Sequence, residues 1–252
     1  RAAAGGVLVV YAFGVAWGGI RTGFAAALTG SFVFLPGDIL KSVVAALVIP
    51  GEGESRPPRK LAVSETGASD GYPIFLLHGT PGSRKGPKPR AITLFRQGVR
   101  LISYDRPGYG GSGRDEERTV ADAAADVWEI ANALGTQGQF GVVGRSGGAP
   151  HALAVAADDD RARVSSVATL CSLAPYDGPG LDWYEGMNPH NRDEYTTADT
   201  DDPALLNRLT GWAAEISRNP RKMIELIGEE LSGYDERVIG DVALRRLLLD
   251  TY

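Results

Sequence analysis

The sequence predicts an α/β fold, a mostly parallel sheet with helices on both faces, carried behind a hydrophobic N-terminal segment. Three observations predict it. From Leu61 onward short apolar runs alternate with helical patterns, the rhythm of strand–helix–strand units. The pentapeptide Gly144-Arg145-Ser146-Gly147-Gly148 lies between the apolar run Phe140-Gly141-Val142-Val143 and the small-residue stretch that starts at Ala149. That is strand, tight turn and helix, with a serine at the apex. Finally, residues 2–20 carry no charge, and a helix needs about 20 apolar residues to cross a bilayer.

Taken in order, residues 2–20 read as a first membrane helix. Five glycines there would weaken a buried soluble helix. In a membrane, glycines let helices approach closely, and Gly14 and Gly18 form a small-xxx-small pair. A second apolar segment follows instead of a cleavage site, which argues against a signal peptide. Arg21-Thr22-Gly23 interrupts, residues 24–35 are apolar, and Pro36-Gly37 breaks the chain. Residues 38–49 read as a second helix, ended by Pro50-Gly51. Asp38 and Lys41 stand at i, i+3 and share one face. Two readings stand for them: a pair lining a functional cavity, or an interfacial pair with Asp38 at the positive helix end.

Residues 1–50 are thus expected to be membrane helices and residues 51–60, with Pro57 and Pro58, a linker. Arg56, Arg59 and Lys60 follow the second helix, so the positive-inside rule puts the remainder, residues 61–252, in the cytoplasm beside the membrane. The single cysteine, Cys171, has no internal partner and fits a reducing compartment. Its apolar surroundings predict a buried position. A net charge of −5 gives no sign of a nucleic-acid partner. No Cys/His spacing suggests a metal site, and neither metal nor organic cofactor is expected.

In the α/β part, Pro73-Ile74-Phe75-Leu76-Leu77 and Arg100-Leu101-Ile102-Ser103-Tyr104 read as strands. Thr119 is placed to cap a helix with Asp122 three residues on, and Val120, Ala124, Val127, Ala131 and Leu134 mark its inner face. Residues 140–143 form the next strand, and residues 164–173 contain another. Two features suggest a fragment at both ends. Residue 1 is Arg, and the C-terminus stops in an amphipathic pattern without a Gly or Pro stop signal.

Three stretches resemble the alpha/beta-hydrolase superfamily in order and spacing: His78-Gly79-Thr80-Pro81-Gly82, the loop Asp105-Arg106-Pro107-Gly108-Tyr109-Gly110, and the serine pentapeptide. The resemblance implies Ser146 as nucleophile toward a small-molecule ester, amide or related acyl bond. It implies Thr80 and Gly147 as main-chain oxyanion donors, with His78 and Gly79 shaping the oxyanion loop. It implies a helical lid over about residues 177–250, where Trp183, Tyr184, Met187 and Trp212 either form an acyl pocket or pack on the core. Esters, lactones and N-terminal proline peptides are all compatible.

The resemblance also puts the catalytic acid and histidine after the lid, beyond Tyr252. The chain as it stands is therefore expected to be inactive, without the final strands. Asp177 as acid and His190 as base are the weaker alternatives. His151 lies one turn into the helix after Ser146, on the wrong side for a base. Two bland readings stay open: Ser146 as a helix cap in a non-catalytic fold, and Arg145 as a surface residue instead of a substrate contact.

A second resemblance covers residues 1–50. Tyr11-Ala12-Phe13-Gly14 and the run Phe34-Leu35-Pro36-Gly37-Asp38-Ile39-Leu40-Lys41 are similar to the end of the biotin-uptake substrate-binding component of energy-coupling-factor transporters. It implies the last two of six membrane helices, Asp38 and Lys41 at a biotin site, and the transporter's energising subunits as partners. The expected function is a membrane-associated serine hydrolase fused to a partial biotin-transporter segment. The alternative is a biotin-uptake component with an inactive hydrolase-like tail.

Overall fold

Short apolar runs become the strands of one sheet in the computed structural model, which describes residues 46–49, 59–159, 162–176, 178–187, 189–200, 202–219, 221–222, 237, 240–242 and 245–246. Asp38, Lys41, Asp177 and the two apolar helices expected over residues 1–50 lie outside the described residues, except for 46–49. The strands are β1 (Ala46–Ile49), β2 (Arg59–Gly67), β3 (Tyr72–Leu77), β4 (Val99–Tyr104), β5 (Phe140–Arg145) and β6 (Val164–Leu170). Their order across the sheet is β1-β2-β4-β3-β5-β6. β3 to β6 run parallel, and β1 and β2 are antiparallel at one side.

Ala46–Ile49 departs from expectation. Read as the end of an apolar helix, it is a strand paired with Arg59–Ala62 of β2. A four-residue apolar run carries no period that separates strand from helix, and Val48 and Ile49 favour the strand once an edge is offered. Among the described residues no helix is long and apolar enough to cross a membrane.

Helices α2 (Ala123–Ala133) and α3 (Ala149–Ala157) cover one face. Phe75, Leu77, Ile102, Tyr104 and Val142 of the sheet meet Val127 and Ile130 of α2 and Ala152 and Val155 of α3 in a continuous buried cluster. The rings of Phe75 and Phe140 meet edge to face at 5.0 Å. A short helix α1 (Ala91–Arg96) lies against β2 and β4. Helices α4 (Pro189–Thr200) and α5 (Asp202–Arg218) pack against each other.

Two local expectations are corrected. Thr119 does not cap α2. Asp122 occupies the capping position, and its Oδ2 accepts the Thr119 N–H and hydroxyl, each at 2.7 Å. The helix therefore starts at Ala123, and Val120 is exposed instead of inward-facing. Cys171 is exposed rather than buried. It follows β6, which pairs with β5 alone among the described residues and has most of its side chains in solvent.

The topology creates a crevice. The chain leaves β3 toward β4 on one side and returns as β5 on the other. The loops after β3 and β5 therefore diverge at the carboxyl ends of adjacent strands, where open α/β sheets bind ligands. The register pairs Leu77 with Gly144. The chain continues in that register, so Gly79 emerges beside Ser146.

Candidate active site

Ser146 opens a 3-10 turn (Ser146–Gly148) between β5 and α3, with φ at 50°. A left-handed serine costs about 1 kcal/mol or more and persists only where its surroundings impose it. Here the turn must reverse from a central strand into a helix within three residues. The turn also crowds against the loop after β3. A Cβ placed on Gly147 would meet Thr80 Oγ1 at 2.5 Å and Thr80 N at 3.2 Å. One placed on Gly79 would lie 3.2 Å from Ser146 Cβ and 3.7 Å from its Oγ. Only backbone without side chains allows this approach. Ser146, Gly147, Gly79 and Thr80 are thereby brought together. The Thr80 N–H donates to no other described residue.

His78 is buried under this loop. Its Nε2 accepts the Arg106 N–H at 3.0 Å. A backbone N–H can only donate, so the ring proton sits on Nδ1 and is donated to Gly79 O at 2.8 Å. Burial, and then the Arg106 charge, hold its pKa down to about 4. His151 is arranged alike. Nδ1 donates to Gly147 O at 2.8 Å, and Nε2 faces Arg106 Nη1 at 3.3 Å. Burial and Arg106 also lower its pKa to about 4. His190 lies on α4, with Nε2 3.6 Å from Glu194 Oε1 and its ring stacked on Trp212. His78 and His151 therefore have both ring nitrogens occupied by groups other than Ser146.

Arg106, in the sequence only one residue of the loop 105–110, is the residue that sequence reasoning misses. Its side chain is buried. Nη2 donates to Gly79 O at 3.0 Å and to Thr80 Oγ1 at 2.8 Å. The guanidinium also lies 4.7 Å from the centre of the Tyr109 ring. None of these partners is a carboxylate. The available signal is an arginine directly after an aspartate at the end of the strand run Leu101-Ile102-Ser103-Tyr104, a place where a long charged side chain has little access to water.

Asp105 anchors the same loop from below. It is fully buried and accepts the Arg84 N–H at 2.6 Å, the Gly111 N–H at 2.8 Å and the Arg84 guanidinium. Arg145 is half-buried and lines a small cavity with Ser83, Arg84 and Ser103. Trp183 belongs to an aromatic cluster with Tyr176, Tyr184 and Tyr195, ring centroids 4.6–6.3 Å apart. Tyr176 and Tyr184 donate to Asp199 Oδ2 at 2.6 and 3.3 Å, and Trp183 Nε1 to Ala174 O at 2.9 Å. Among the described residues no group of His, Cys, Asp and Glu is placed to hold a metal ion.

Residues 72–225 match the family described as alpha/beta hydrolase fold, and residues 1–56 match the BioY family. Over 96 residues the chain is 35% identical to a proline iminopeptidase of Neisseria gonorrhoeae, covering 36% of this chain and 30% of that protein. Over 48 residues it is 48% identical to the biotin transporter BioY of Rhizobium etli, covering 18% of this chain and 25% of that one. Among solved structures, a thermophilic esterase from Thermogutta terrifontis aligns with 22% identity and a TM-score of 0.48, over 74% of this chain and 66% of the esterase. The chain thus spans less than a third of the length of these two curated relatives.

Proposed function

We propose that this chain, which belongs to the alpha/beta hydrolase fold family and carries a BioY-like segment before it, is a serine hydrolase of a small ester, amide or related acyl bond. The observation that carries the reading is Ser146, held at φ 50° on the turn and pressed against the Gly79–Thr80 backbone. In this reading Ser146 Oγ attacks the acyl carbon and its proton passes to a base. The carbonyl oxygen becomes an anion between the N–H groups of Thr80 and Gly147. The alcohol or amine then leaves, and water later cleaves the acyl-serine. Each aimed donor contributes about 2.7–4 kcal/mol to such a step. The N-terminal end of α3 adds its positive dipole.

The base is the unfilled role. With His78 and His151 occupied and His190 beside Glu194, we assign it to a histidine outside these 252 residues. The test is hydrolysis of p-nitrophenyl esters by this chain and by a version continued for about 80 residues of its natural reading frame. The longer protein is expected to turn over, with activity lost in Ser146→Ala, and the shorter one to show little turnover. Turnover by the longer protein that survives Ser146→Ala would sink the reading.

A second reading is favoured by the match of residues 1–56 to the BioY family. In it the membrane segment takes part in biotin uptake, with Asp38 and Lys41 facing the ligand, energising subunits as partners and the hydrolase part on the cytoplasmic side. Biotin binding by the detergent-extracted protein, lost in Asp38→Asn, is its test.

A further inference from the structure

We propose that Arg106 is a positioning residue for the oxyanion cradle, one that aims and polarises the Thr80 N–H through the Gly79–Thr80 peptide. The inference rests on the reading of Thr80 as an oxyanion donor and goes beyond it. A trans peptide is planar, so its C=O and N–H point in opposite directions. The Gly79 carbonyl is gripped from two sides, by His78 Nδ1–H at 2.8 Å and by Arg106 Nη2 at 3.0 Å. Fixing that oxygen fixes the opposite end of the plane, which is the Thr80 N–H beside Gly147. The same nitrogen of Arg106 holds Thr80 Oγ1 at 2.8 Å, so the residue after the peptide is pinned as well.

Charge sharpens the effect. A cation on a carbonyl draws electron density along the amide and strengthens its N–H as a donor. Arg106 keeps that charge in a buried site where its bonding partners are a carbonyl, a hydroxyl and an imidazole. A guanidinium placed for fold stability alone would more commonly find a carboxylate. Arg106 also reaches the other half of the cradle. Its Nη1 bonds His151, whose Nδ1–H holds Gly147 O at 2.8 Å. One side chain therefore ties the loop bearing Thr80 to the turn bearing Gly147.

The test is phosphonylation of Ser146 in the whole chain by an alkyl fluorophosphonate, followed as a mass shift on the Ser146 peptide. The Ser146 Oγ–P bond forms, the P–F bond breaks, fluoride leaves and the hydroxyl proton passes to buffer. The phosphoryl oxygen occupies the oxyanion position. Oxyanion donors accelerate such chemistry even where the triad is incomplete. Arg106→Gln is expected to lower the maximal labelling rate about 10- to 100-fold with half-saturation within twofold, and Arg106→Lys to recover part of the loss. If Arg106→Gln does not fold, Arg106→Lys is judged by the same ratio, with a fall of at least threefold expected. Labelling by a folded variant at the parent's rate overturns the inference and leaves the serine reading intact. Where the parent is labelled only in the version continued beyond residue 252, the same ratio is read there, and no labelling of Ser146 in either form overturns both.

Discussion

The ring of His78 accepts the backbone N–H of Arg106 at 3.0 Å, which makes a neutral imidazole a structural requirement. His151 is under the same constraint, and both rings have pKa values near 4 against an ordinary 6.5, chiefly through burial. The sign follows directly. Between about pH 6.5 and 4 the unfolded chain takes up two protons that the native chain refuses, so stability falls as pH falls through this window. From pH 7 to 5 the loss is about 2 kcal/mol per ring. Urea unfolding at both pH values checks it, and His151→Gln is expected to remove about half of the histidine contribution. Equal midpoints for the parent at pH 7 and 5 would refute this account of the two rings.

Gly147→Ala probes the crowding around the serine turn. The added methyl would stand 2.5 Å from Thr80 Oγ1 and 3.2 Å from Thr80 N, so the loop must retreat. Ester hydrolysis by the extended protein is expected to fall about a hundred-fold, mostly in kcat. A variant with parental kcat would mean that the space between residues 147 and 80 is not used by the reaction.

Asp105 is the main counter-charge below the site, fully buried and holding Arg84 and the Gly111 N–H. Asp105→Ala leaves the Arg84 guanidinium without this partner and is expected to cost about 3 kcal/mol. Chemical denaturation measures it directly. A change under about 0.5 kcal/mol, the level of an ordinary surface substitution, would show that the loop does not depend on this carboxylate.

Cys171 is exposed at the end of β6. One equivalent of an aromatic disulfide reagent should therefore titrate in the native chain without denaturant, at a rate set by the thiolate fraction. A thiol that reacts only on unfolding would contradict its exposure.

Which features were legible in the sequence depends on the range of the interaction that fixes them. The turn at Ser146 was legible because a buried apolar strand, flanking glycines and a small-residue helix all lie within fifteen residues. The strands β3, β4 and β5 were legible for the same reason, each being an apolar run between turn residues. β1 was not, since Ala46–Ile49 becomes a strand only because β2 offers an edge. Cys171 was misread because an apolar string looks alike at the centre and at the side of a sheet. The Arg106–Gly79–Thr80 grip joins segments that only the β3–β4 pairing brings together, and no local pattern announces it. Helix α2 starts after Asp122, whose carboxylate turns back to Thr119 and makes no cap bond to the helix, a choice the spacing alone leaves open.

The register that sets Leu77 against Gly144 has a kinetic consequence. Its two partners are far apart along the chain, and the whole of β4 and α2 intervenes. Closing so large a loop is slow compared with forming any single helix or hairpin. Residues 78–80 and the serine turn consequently meet only when the centre of the sheet zips, and a refolding chain should regain helical signal well before it can be phosphonylated.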